Sequence, residues 1–210
     1  MRRAKNATAH MTTTTDPPPA GARIDALLLA GGRSRRFGRD KRHALLGGRT
    51  LADIAMCKLR AVVDGDLWVA GAGTFNVAGR AFLVDDLVHG RGPMSGIAGG
   101  LLRVRFGVLV LPCDVPLVTA DTLSALVRMA RRSGQVVALR SGRGWEPLVG
   151  FYPRAALPQL AAALRDGQRA PHRLLDRLGA LALPVGRARE TWNVNRIEDL
   201  KAAAEVAGRA

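Results

Sequence analysis

The chain has 210 residues, of which 48% are hydrophobic, enough to bury one sizeable core in a single domain. A net charge of +15 favours anionic partners such as nucleotides, nucleic acid or acidic lipid headgroups, without choosing among them. The two cysteines, Cys57 and Cys113, have neither CxxC spacing nor a histidine cluster nearby, which argues against a disulfide framework or a zinc site and fits reduced thiols in the cytoplasm.

Residues 1–22 carry Thr and Pro runs and almost no apolar content, so a disordered extension is expected there. Its basic start is followed by no hydrophobic segment of the kind a signal peptide needs. Residues 23–210 are expected to form one domain. No apolar run approaches the roughly 18 residues of a membrane span, so no membrane partner is expected.

Strands and helices alternate from there on. Residues 24–30 are a short apolar run closed by Gly31-Gly32, suited to a buried parallel strand. Thr50 can cap a helix over 51–63. Residues 67–70 (LWVA) and 81–84 (AFLV) read as strands, and GPMSG at 92–96 opens a helix running through Leu101-Leu102. Residues 107–112 (GVLVLP) are a strongly apolar strand. Thr119 and Asp121 start the next helix. Strands are expected at 135–139 and 147–152, and helices over 154–165 and near 171–178. The last helix is expected after Asn195, capped by that residue with Glu198 as its capping-box partner. This alternation predicts a three-layer α/β/α, Rossmann-like fold with a mostly parallel central sheet. Ligands of such sheets bind at the carboxyl ends of strands. The loop after the first strand, Asp85-Asp86 after the third and Cys113-Asp114 after the fourth should therefore face one crevice.

The loop LAGGRSRRFGRDK, residues 29–41, packs four arginines and a lysine beside three glycines. A glycine-rich turn after a strand exposes backbone N–H groups that hold phosphate, and Gly31 and Gly32 let the backbone come close to it. The spacing fits neither a P-loop nor GxGxxG; GAGTFN at 71–76 lacks the third glycine and reads as a plain loop. In LPCDVPLVT an apolar strand delivers Asp114 to its carboxyl end, where a carboxylate can hold Mg²⁺ bridged to substrate phosphates. The alternative for Asp114 is a turn or cap role. Asp85 and Asp86 can accept from a guanine edge or a ribose, or can simply end a strand. Asn193 and Asn195 can contact substrate or metal, and Asn195 can equally be only a cap. His10, His43, His89 and His172 lack metal-ligand spacing, and no GxSxG or Ser-His-Asp pattern supports covalent catalysis.

These residues together resemble a known family. LAGGRSRRFGRDK meets every fixed position of L-A-G-G-x-S-x-R-[MF]-G-x-D-K, the opening signature of the molybdopterin nucleotidyltransferases: Leu29, Ala30, Gly31, Gly32, Ser34, Arg36, Phe37, Gly38, Asp40 and Lys41. GPMSG is similar to the family's G-P-L-A-G turn, LPCDVPLV to its P-C-D-x-P segment, and EPLVGFYPRAALPQL to P-L-x-A-L-Y-x-x. WNVNRIEDL is similar to its N-x-N-T-P-E-D-L close, with Arg196-Ile197 in place of Thr-Pro. The resemblance runs from about 24 to 205 in order. P-C-D and G-P-x-x-G resemble the molybdenum cofactor guanylyltransferase branch, whereas the related cytidylyltransferases more often show A-D-Q-P.

The resemblance implies a cytoplasmic nucleotidyltransferase that uses GTP and molybdopterin cofactor with Mg²⁺, Mn²⁺ being an alternative, and that meets other enzymes of cofactor biosynthesis or the acceptor enzymes. By position it implies nucleotide contacts at Leu29, Ala30, Gly31, Lys41 and Asp114 and at Asp85 or Asp86, of which Asp86 is favoured because it follows the strand, with metal at Asp114; the phosphate chemistry of the loop adds Gly32 as a nucleotide contact and makes Arg36, Lys41 and Asp114 the catalytic residues. Asn193 and Asn195 fall to the pterin side. The family's asparagine after the second strand aligns with Ala70, a departure for which the backbone or Asn76 can substitute. Two rival readings are a cytidylyltransferase or sugar-phosphate nucleotidyltransferase on the same scaffold, and a basic nucleic-acid-binding protein. The latter lacks interleaved aromatics for base stacking, since aromatics are 4% of the chain.

Overall fold

The computed structural model describes residues 21–31, 37, 40–71, 81–85, 87, 92–167 and 171–208. In chain order they form β1 (Asp25–Leu29), a 3₁₀ turn (Lys41–His43), β2 (Leu45–Leu46), β3 (Arg49–Thr50), α1 (Leu51–Val62), β4 (Leu67–Ala70), β5 (Phe82–Val84), α2 (Pro93–Arg103) and β6 (Gly107–Pro112). There follow α3 (Ala120–Ser133), β7 (Val137–Ser141), β8 (Gly144–Pro153), α4 (Leu157–Arg165), α5 (Pro171–Arg177), β9 (Leu181–Pro184) and α6 (Ile197–Ala207).

Seven strands make one sheet in the order β5-β4-β1-β6-β8-β7-β9. The pairs β1–β4, β1–β6, β4–β5 and β7–β9 are parallel, and β8 runs antiparallel to both its neighbours. The expected mostly parallel sheet with helices on both faces is therefore present.

Side chains on β1 alternate between the two faces, as a period of two requires. Ala26 and Leu28 pack with α1 and α3, while Leu27 and Leu29 pack with α2 and α4. β6 is buried along its whole length, which explains its unbroken apolar run. Fully burying one of these leucines contributes roughly 1.5–3 kcal/mol. A third, smaller cluster of Phe37, Ala44, Leu46, Leu51, Val194 and Ala203 joins the β2–β3 hairpin and α6 to the carboxyl end of the sheet.

The helix starts follow the capping chemistry in the sequence. The Thr50 hydroxyl accepts from the Asp53 N–H at 3.0 Å and donates to the Asp53 carboxylate at 2.6 Å, a reciprocal cap on α1. Thr119 accepts from the Thr122 N–H at 3.1 Å and starts α3. The last helix differs from expectation. Arg196, not Asn195, is the N-cap residue of α6, and Asp199, not Glu198, closes the cap by accepting from the Asn195 and Arg196 N–H groups at 2.9 and 2.8 Å. The Asn195 side chain is thereby left to point elsewhere.

Three further differences come from short or irregular pieces. The β2–β3 hairpin has only two residues per strand, below the length at which periodicity is legible, and β9, a partly buried strand at the edge of the sheet, is not anticipated either. The helix expected over 154–165 splits into a 3₁₀ turn, Arg154–Ala156, and α4, with Pro158 in its first turn. The expected extension lies outside the described residues, apart from 21 and 22. Among the described residues no helix is long and apolar enough to cross a membrane.

Candidate active site

β1, β4, β5 and β6 are parallel, so their carboxyl ends, Leu29, Ala70, Val84 and Pro112, lie along one edge of the sheet. From β1 the chain moves outward on one side to β4 and β5, then crosses back to β6 on the other. Such a reversal opens a crevice beyond the strand ends. The two strands beside it are β1 and β6, which carry the glycine-rich loop and Asp114.

The crevice floor is fixed by backbone hydrogen bonds. The Ala30 N–H donates to the Ala70 carbonyl at 2.8 Å, and the Cys113 N–H donates to the Leu29 carbonyl at 3.1 Å. Gly31 is exposed at the mouth. Gly71, with φ of 124°, runs directly beside it: a Cβ at residue 71 would lie 2.1 Å from the Gly31 nitrogen. Only glycine permits this approach of two backbones.

Lys41 enters from the 3₁₀ turn. Asp40 begins that turn, its carboxylate accepting from the Arg42 N–H at 3.0 Å and from the Arg42 guanidinium Nη2 at 2.6 Å. The hydrogen bond from Arg42 holds the Asp40 carboxyl below its usual range, and Asp40 in turn raises the pKa of Arg42. Arg42 thus tightens the turn that aims Lys41.

The Lys41 Nζ donates to Asp114 Oδ2 at 2.5 Å and to Asn195 Oδ1 at 3.3 Å. Both charged side chains are mostly shielded, with 13% of Lys41 and 17% of Asp114 exposed, so their attraction is stronger than between solvated groups. The Asp114 carbonyl accepts from the Val194 N–H at 2.8 Å, which ties the Asn193–Asn195 segment to the end of β6. Three residues read from the sequence, Lys41, Asp114 and Asn195, therefore meet at one point. Cys113, next to Asp114, has a thiol pushed up to about 12 by burial and, secondarily, by the Asp114 charge. It stays protonated and is no nucleophile.

The other predicted residues are more dispersed. Leu29 and Ala30 are buried in the crevice floor. Asp85 is exposed at the end of β5 on the same edge; β5 is three strands from β6, or roughly 14 Å at normal strand spacing. It does not join Asp114, and a ligand touching both must span the crevice. Asn193 is exposed beside Val194. Gly32, Arg36 and Asp86, together with Asn76, lie outside the described residues.

The chemistry of the cluster suits a polyphosphate with a divalent cation. Among the described residues no three His, Cys, Asp or Glu side chains converge. Asp114 Oδ2 faces Lys41, whereas Oδ1 accepts no hydrogen bond from a described residue. A strand-end carboxylate can give one oxygen to a divalent cation whose remaining ligands come from water and phosphate.

Sequence reasoning overlooked Glu190 and Arg143. Glu190 lies in GRARE, which reads as an exposed charge run, yet the residue is 6% exposed. Arg143 reads as a turn residue of SGRG, yet it donates to the Thr191 carbonyl at 2.9 Å and to its hydroxyl at 3.2 Å. Neither has a local signal, because each role depends on a segment that returns from far along the chain.

The MobA-like NTP transferase domain matches residues 26–181. The chain belongs to that family. It is 37% identical over 165 residues to the molybdenum cofactor guanylyltransferase of Pseudomonas syringae pv. syringae, covering 76% of this chain and 82% of the relative. Among solved structures it resembles molybdopterin-guanine dinucleotide biosynthesis protein A from Archaeoglobus fulgidus, with a TM-score of 0.76 and 24% identity over 89% of this chain and 100% of that one. It also resembles Rv0371c of Mycobacterium tuberculosis in its complex with manganese, with a TM-score of 0.66 and 20% identity over 88% and 98% of the two chains. The matched segment of this nucleotidyltransferase-family chain contains Lys41 and Asp114 and ends before the returning Asn193–Asn195 segment.

Proposed function

We propose that this chain transfers GMP from GTP to molybdopterin cofactor, forming the guanine dinucleotide and releasing pyrophosphate. The observation that carries this reading is the meeting of Lys41, Asp114 and Asn195 at the β1–β6 crevice. It is supported by the complete LAGGRSRRFGRDK signature and by the activity named for the Pseudomonas syringae relative.

In this reading a phosphate oxygen of the pterin attacks the α-phosphorus of GTP in line. The new P–O bond forms as the bond to the β-phosphate oxygen breaks, and pyrophosphate departs with the electron pair. A phosphate monoester is anionic near neutral pH, so no strong general base is required. The protein must instead offset the repulsion of two anions and the charge growing on the leaving group.

The Lys41 ammonium supplies one cation beside the phosphates, and Arg36 is assigned a second. Asp114 is assigned the divalent ion, Mg²⁺ with Mn²⁺ as the alternative, which when bound neutralises phosphate charge. Leu29, Ala30, Gly31 and Gly32 are assigned to the nucleotide, with the glycines as the source of backbone donors. Asp85 and Asp86 are assigned to the guanosine end, consistent with the distance of β5 from β6. Asn193 and Asn195 are assigned to the acceptor side. Residues 23–210 act as one cytoplasmic domain, 1–22 as an extension, and other enzymes of cofactor biosynthesis or the acceptor enzymes are the partners.

The test is pyrophosphate release from purified protein with Mg²⁺, molybdopterin cofactor and either GTP or CTP. Release with GTP alone is expected. Release with CTP alone overturns the base assignment, and release with neither overturns the reaction.

A further inference from the structure

The carboxyl end of β6 continues into the loop 113–119, which leads into α3. Opposite it runs the returning segment 190–195. The two are joined at two points, and the segment also reaches Lys41 on the 3₁₀ turn. The Glu190 carboxylate, 6% exposed, accepts through Oε2 from the Thr122 hydroxyl at 2.5 Å, from the Thr119 hydroxyl at 3.4 Å and from the Thr119 N–H at 3.5 Å. Its negative charge therefore sits at the amino end of a 14-residue helix, where the backbone dipoles favour it. The Val194 N–H donates to the Asp114 carbonyl at 2.8 Å. One residue further, Asn195 Oδ1 accepts from Lys41.

The same loop is held from its other side. Lys58 on α1 donates to the carbonyls of Pro116 and Val118 at 2.5 and 2.8 Å. Burial lowers the Lys58 pKa, and the attraction of Glu190 partly opposes that fall. A buried carboxylate and a largely buried ammonium thus flank residues 116–119, and neither touches the phosphate-facing atoms of Lys41 or Asp114. Burying such charges is costly unless they are hydrogen-bonded, as both are here.

We infer that Glu190 is a positioning residue: by fastening segment 190–195 to the start of α3, it holds Asn195 against Lys41 Nζ and hence sets the acceptor side of the crevice. Asp114 depends on it less, because β6 is buried and paired on both edges. Asn195 has no strand of its own: its N–H is tied to Asp199 at the start of α6 at 2.9 Å, and its other support is the returning segment. The inference rests on the proposed transfer reaction for its catalytic consequence, but not for its structural one.

The variants are Glu190→Ala, Glu190→Gln and Thr122→Val, the last removing the 2.5 Å hydrogen bond from the helix side. Amide exchange is read first because it does not depend on turnover. In Glu190→Ala and Thr122→Val, the Val194 amide should exchange at least about tenfold faster, while amides of β6 remain unchanged. Glu190→Gln, whose amide oxygen still accepts from Thr122, should restore most of the protection.

Kinetics follow. Loss of alignment at Asn195 should lower kcat on the order of tenfold while the KM for GTP stays within about twofold. Adding Glu190→Ala to Asn195→Ala should cost less than about twofold more, since the first residue acts through the second. Unaltered Val194 exchange in both Glu190→Ala and Thr122→Val would overturn the inference, as would full additivity with Asn195→Ala. Failure of the unmodified protein to release pyrophosphate would instead sink the proposed reaction and leave the exchange result standing.

Discussion

Lys41 and Asp114, 73 residues apart in the chain, are joined by a 2.5 Å ion pair at the mouth of the β1–β6 crevice. Each carries part of what a phosphoryl transfer needs, and each also holds the other in place. Lys41→Ala and Asp114→Asn should both fold, because neither side chain belongs to the three apolar clusters. Each should lower kcat/KM for GTP by about 10²–10³, the usual loss when one electrostatic donor is removed. The double variant should lose much less than the product of the single losses, since the two act as a unit. Steady-state pyrophosphate release for the three variants decides this, and simple multiplication of the losses would show the two residues acting separately.

The contact between Gly31 and Gly71 leads to a second expectation. A methyl at residue 71 would lie 2.1 Å from one backbone nitrogen and 2.4 Å from the Gly31 Cα, at a φ of 124°. The backbone conformation alone costs a side chain about 1–3 kcal/mol. Gly71→Ala should therefore lower the midpoint of chemical denaturation clearly. Because the atoms displaced belong to the nucleotide-facing loop, it should also raise the KM for GTP more than it lowers kcat. A variant as stable as the parent would mean that the two loops can separate without cost.

The sheet and the near half of the site were legible because their signals are local. Residues 107–112 are apolar throughout because β6 is buried on both faces, and Thr50 and Thr119 cap helices through bonds to residues three positions on. Lys41 and Asp114 stand out because a basic glycine-rich loop and a strand-end aspartate fall on the same edge of such a sheet, although Asp114 alone could equally have made a turn or cap. Asn195 was recognised as a candidate, but its cap role went to Arg196 and Asp199 because the chain turns one residue later. Glu190, Lys58 and Arg143 carried no signal. Thr122, Pro116 and Thr191, which they bond, are 68, 58 and 48 residues distant, and although Arg143 also pairs with Glu146 three residues on, these long-range pairings are set by the fold rather than by spacing.

Asp40 gives the turn that aims Lys41 a defined dependence on pH. Its carboxyl is held below the ordinary value of 3.8, chiefly by the hydrogen bond from Arg42. A group whose pKa is depressed by folding stabilises the native state above its unfolded value and loses that contribution as pH falls through the folded value. The stability difference between the parent protein and Asp40→Asn should thus be present above 3.8 and shrink as pH falls below it. Its size is small, within about 1 kcal/mol, because the Asp40 side chain is 36% exposed and partly screened. Denaturant titrations at several pH values measure it, and a difference that grew in acid would contradict the assigned ion pair.

The two cysteines should behave as opposites. Cys57 is exposed on α1, whereas Cys113 is 2% exposed, with its thiol pushed up to about 12 first by burial and then by the neighbouring Asp114 charge. The thiolate is the reactive form. At pH 8 the native protein should therefore take up a single equivalent of iodoacetamide, at Cys57, and a second only after unfolding. Rapid native labelling of Cys113 would show that the end of β6 opens to solvent, and with it the backbone on which Asp114 is mounted.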